Sequence, residues 1–71
     1  MIEVVFEKER ETKNTIRFKE VDAVINGVEV EANTDDEYGP VVGTLYIQKW
    51  ALRECFPDGL PKQLVVSIGA L

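Results

Sequence analysis

The chain has 71 residues, 45% hydrophobic and 30% charged, with a formal net charge of -5, one cysteine and no histidine. That composition excludes a disordered chain, an internal disulfide and a histidine-bearing zinc site, and the acidity disfavours broad binding to nucleic acid or anionic lipid. A chain this short buries only about 60% of its unfolded surface, so with neither a disulfide nor a metal to staple it, association is the remaining support.

In chain order, residues 2–7 alternate, with Ile2, Val4 and Phe6 on one face and Glu3, Val5 and Glu7 on the other, which is the period of a half-buried strand. Residues 8–14 are entirely polar and are expected to form the outer end of a hairpin. The alternation resumes over residues 15–21 with Ile16 and Phe18 on one face and Arg17 and Lys19 on the other. Pairing Phe6 with Phe18 would set Glu7 opposite Arg17.

Asn26-Gly27 stands between Val24-Ile25 and Val28-Glu29-Val30, and predicts a two-residue turn because both of its positions need positive φ. Residues 32–40 read as an acidic loop containing Asn33, Asp35, Asp36 and Glu37. Extended character returns over residues 41–47, with Leu45 and Ile47 on one face, Thr44 and Tyr46 on the other, and Gly43 as a bulge or close-approach point. Residues 50–56 have helical spacing for one to two turns, ended by Pro57, and residues 64–68 close the chain as a strand. The expectation is a mainly β fold, residues 1–71 as one small domain, with about five strands and one short helix in a small antiparallel sheet or open barrel.

Catalysis is disfavoured, since histidine is the commonest general base and the usual activator of a nucleophile. Cys55 falls on the apolar face of the short helix with Leu52 and Phe56, which predicts a buried, inert thiol. Asn33, Asp35 and Glu37 have the first spacings of a calcium loop, but Tyr38 stands where glycine is needed and Thr44 where a bidentate glutamate is needed. A solvated acidic loop is the better reading, and no metal, cofactor or catalytic residue is assigned.

Two groupings point to recognition. Arg17, Lys19, Lys49 and Trp50 interleave basic and aromatic groups as single-strand nucleic-acid binders do, although glutamates can neutralise the cations and Trp50 can serve the core. Val5, Val42, Tyr46 and Val65 are apolar but out of phase with the core stripes of their strands. A sheet apolar on both faces needs a cover for the second, and a second subunit is the simplest one. No basic leader opens the chain and no run approaches the about 18 apolar residues of a membrane span, so a cytoplasmic protein without membrane contact is expected.

The strings Lys13-Asn14-Thr15-Ile16-Arg17-Phe18, Val42-Gly43-Thr44-Leu45-Tyr46-Ile47-Gln48-Lys49-Trp50-Ala51-Leu52 and Pro61-Lys62-Gln63-Leu64-Val65-Val66 resemble those of a family of short uncharacterised prokaryotic β-rich proteins. The resemblance implies no activity. The sequence therefore points first to a non-enzymatic interaction module that self-associates as a homodimer or takes a protein partner. Its contacts would be Val5, Val42, Tyr46, Val65 and Trp50. The alternative is a single-stranded nucleic-acid binder using Arg17, Lys19, Lys49 and Trp50, and a small carboxylate enzyme ranks last.

Overall fold

The computed structural model describes residues 1–31 and 39–71. It contains, in order, β1 (Ile2–Glu11), β2 (Thr15–Ile25), β3 (Val28–Glu31), β4 (Thr44–Gln48), the helix α1 (Lys49–Cys55) and β5 (Gln63–Ile68). All pairings are antiparallel, and the five strands make one sheet that is not closed into a barrel.

Strand β2 is the spine of this sheet. One of its edges runs along the whole of β1, while the other is shared, with β4 against residues 15–19 and β3 against residues 22–25. The far edge of β1 pairs with β5. Because β4 and β5 sit on opposite sides of the β1–β2 pair, the chain between them, including α1, must cross the sheet.

The Asn26-Gly27 turn forms as its residue types require, with φ of 50° and 82°, and closes on the pair Ile25 and Val28. The first hairpin differs from expectation. Phe6 lies opposite Glu20, Glu7 opposite Lys19, and Lys8 opposite Phe18. The strand continues past Glu7 to Glu11 because the connection is tight: the Thr12 amide donates to the Thr15 carbonyl (2.9 Å) and the Thr15 amide to Thr12 Oγ1 (3.0 Å). The polar residues placed in the hairpin end therefore extend the ladder, and the register moves with them.

Two irregularities adjust which side chains face the core. Between Val5 and Phe6 the partner jumps from Asp22 to Glu20, leaving Val21 unopposed, and between Lys8 and Arg10 it moves from Phe18 to Arg17, leaving Glu9 unopposed. The first shift changes the phase of β2. Core-facing positions run Ile16, Phe18, Glu20 before it and Ala23, Ile25 after it, so Asp22 falls on the face away from the core.

Val4, Phe6, Ile16, Phe18, Ala23 and Leu52 form the buried core, bordered by Ile2, Val41, Leu45, Ile47, Leu60, Leu64 and Val66. Among the described residues only one face of the sheet is packed in this way. Helix α1 contributes a single buried residue, Leu52. Its N-cap, Gln48, makes no side-chain cap, but the Lys49 amide donates to the Asn14 carbonyl (2.8 Å), tying the helix start to the first hairpin. At the other end the Phe56 amide closes on the Leu52 carbonyl (2.8 Å). Cys55 is exposed, in contrast to the buried thiol its spacing predicted. A seven-residue helix that buries one side chain holds its last turn clear of the sheet, so sharing a helical face with Leu52 does not bury it.

Candidate functional site

On the face away from the core, antiparallel register lines up side chains in rows across the sheet. One row runs Ser67, Glu3, Val24, Glu29; the next holds Val65, Val5 and Asp22; then come Gln63, Glu7, Lys19, Thr44; and the last holds Arg10, Arg17 and Tyr46. Val5 and Val65 are direct partners. Tyr46 shares their face but is separated from them by the row of Glu7 and Lys19. Val42 precedes β4 and lies outside the strands, and Trp50 sits in the first turn of α1. The apolar set thus resolves into a valine pair, Val42 ahead of β4, and two dispersed aromatic residues.

The basic set is largely committed to carboxylates. Arg17 Nε lies 3.1 Å from Glu9 Oε2, an ion pair without hydrogen-bond geometry, and the guanidinium stands 6.0 Å from the centre of the Tyr46 ring. Lys49 Nζ is 3.6 Å from Glu11 Oε2, and Lys8 Nζ is 2.8 Å from the other oxygen of that carboxylate. The hydrogen bond from Lys8 and the charge of Lys49 hold the Glu11 carboxyl below its ordinary pKa. Lys19 is exposed with Glu7 as its cross-strand neighbour. Trp50 is 68% exposed and does not serve the core.

The residue that sequence reasoning passed over is Glu20, 2% exposed at the seam where β3 and β4 divide the edge of β2. Its Oε1 accepts the amides of Val42 (2.5 Å) and Gly43 (2.9 Å), and its Oε2 accepts the amide of Val41 (2.8 Å). The Glu20 amide returns the contact to the Gly43 carbonyl (3.0 Å). Gly43, whose amide is one of these donors, holds φ +96°, a conformation side-chain-bearing residues rarely take. Glu20 thereby fixes the approach to β4. Its signal was a glutamate in step with Ile16 and Phe18 on a core stripe, where an unpartnered charge would be costly.

Asn33, Asp35, Glu37 and Tyr38 of the calcium-like spacing lie outside the described residues. Among the described residues no group of three or more acidic or cysteine side chains is placed to hold a metal ion.

The outer edge of β5 offers a different chemistry. The Lys8 amide donates to the Lys62 carbonyl (2.7 Å), which sets the alternation of the β1–β5 ladder. Carried along the register, it turns the main-chain groups of Leu64, Val66 and Ile68 toward β1 and those of Gln63, Val65 and Ser67 outward. Among the described residues no strand takes up that outward side. From Gln63 to Ile68 the strand carries no charge and no proline, and Val65 is 60% exposed. Free edges are commonly blunted by such residues. By contrast, the β3 edge is four residues long and carries Glu29.

No protein-family model matches the chain, and no curated protein or solved structure matches it either. The resemblance to short prokaryotic β-rich proteins therefore assigns it to no family, and the functional reading rests on its own surface.

Proposed function

We propose that the protein is a non-enzymatic interaction module that accepts a strand from another polypeptide along the outer edge of β5. The observation that carries this reading is the uncharged edge of Gln63, Val65 and Ser67, unpaired among the described residues and lying beside the valine pair Val5 and Val65. Main-chain hydrogen bonds would supply affinity, and the exposed valine a site for an apolar side chain of the partner. The nucleic-acid reading has less support, because Arg17 and Lys49 are each paired with a glutamate and the net charge is negative.

The test is an amide-shift titration of the labelled protein with a panel of short extended peptides rich in β-branched residues. The edge reading expects the Gln63, Val65 and Ser67 amides to respond most. A response confined to Tyr46 and Trp50, or a response to oligonucleotide alone, would overturn it.

A further inference from the structure

We infer that the strand accepted by the β5 edge is β5 of a second copy, paired antiparallel about a two-fold axis through Val65. This rests on the strand-addition reading and specifies its occupant. Two requirements decide whether an edge can pair with itself: outward main-chain groups must meet outward main-chain groups, and no charge may face its own image.

The register centred on Val65 meets both. It sets Gln63 opposite Ser67 of the second copy, Val65 opposite Val65, and Ser67 opposite Gln63, so every outward-facing residue of the strand meets an outward-facing one. Shifting the centre one residue toward the strand start, to Leu64, would bring Pro61, which has no amide hydrogen, opposite Ser67. Shifting it one residue the other way, to Val66, leaves Gln63 facing Gly69, beyond the end of β5. On the outer face the centred register joins Val5 and Val65 to their copies in one unbroken row of valines. Glu3 and Glu7 of different copies stay three strand spacings apart, on the order of 14 Å, beyond the screening length at physiological salt. On the core side Leu64 meets Val66, and Ile68, exposed in the single chain, meets the stem of Lys62.

A pair of six-residue edges is a small interface, so association should be weak, with a dissociation constant on the order of 10 μM. Sedimentation velocity over a dilution series should show the dimer fraction rising with concentration. Val65→Pro removes an outward amide that β1 does not use, and Val65→Lys sets like charges face to face; either should leave a folded monomer, with far-ultraviolet circular dichroism checking the fold. In a Cys55→Ser background, Val65→Cys should cross-link to a dimer on mild oxidation, and Ser67→Cys far less, because its partner is Gln63.

A wild-type chain that stays monomeric, or a folded Val65→Lys variant that dimerises as before, overturns the self-pairing. Equal cross-linking of the two cysteine variants overturns the register. A monomer whose edge amides still respond to peptides overturns self-pairing alone, whereas an edge that responds to neither peptide nor concentration overturns the strand-addition reading with it.

Discussion

Replacing Glu20 by glutamine keeps the shape of the side chain and removes its charge, so it isolates the role of the carboxylate at the seam of β2. Two amides, those of Val42 and Gly43, converge on Oε1, and a glutamine carbonyl can still accept both, though without the added strength of an ionised acceptor. The glutamine NH2 would then face the Val41 amide, donor against donor. One part-buried amide left unpaired costs about 1–3 kcal/mol, and two charge-assisted bonds reduced to neutral ones lose about 1 kcal/mol each. The lower cost of burying a neutral group offsets part of this, giving a net loss of about 2–4 kcal/mol. A 71-residue chain has on the order of 4–11 kcal/mol of stability in total, so the variant should unfold at much lower denaturant. Urea unfolding followed by circular dichroism gives the difference directly, and the amides of residues 41–43 should exchange faster in the variant. A loss below about 0.5 kcal/mol, the scale of an ordinary surface substitution, would refute the role assigned to Glu20.

Phe6→Ala removes a fully buried ring from the centre of the core and should cost about 3–5 kcal/mol in the same urea assay. Because the Glu11 pKa is depressed by Lys8 and Lys49, its contribution is present at neutral pH and is lost as pH falls through its folded-state value; a carboxyl-carbon titration should place Glu11 below its ordinary range, and Lys8→Met should move it back up. Cys55, exposed at the end of α1, should react with a thiol reagent in the native protein nearly as fast as in urea, and strong native-state protection would contradict its placement.

The strands were legible where one face is buried and the turn chemistry is local. The alternation of Ile2, Val4 and Phe6 gave β1 its core face, and Asn26-Gly27 located the β2–β3 turn. What stayed hidden depends on contacts distant in sequence. The register of the first hairpin turns on the Thr12–Thr15 clasp and on bulges at Glu9 and Val21, which no periodicity announces. Glu20 reads as a misplaced charge until the amides of residues 41–43, more than twenty positions away, are brought to it.

The candidate surface was legible in the same partial way. Val5 and Val65 were both out of phase, and the structure makes them neighbours, but the charged row of Glu7 and Lys19 keeps Tyr46 from joining them. Strand order set this outcome, since which edge of which strand is left free follows only from the whole topology. Helix spacing misplaced Cys55 for a related reason: a short helix fixes relative directions among its residues, while the neighbouring sheet determines how much of it is covered.

The outward main-chain groups of β5 are tested most directly by residue-resolved amide hydrogen exchange at low and high protein concentration. In dilute protein the amides of Leu64, Val66 and Ile68 should be protected and those of Gln63, Val65 and Ser67 should exchange freely. Raising the concentration should protect the second set and leave the first unchanged. Exchange at Gln63, Val65 and Ser67 that is independent of concentration, or protection that appears instead around Tyr46 and Trp50, would contradict pairing at the β5 edge.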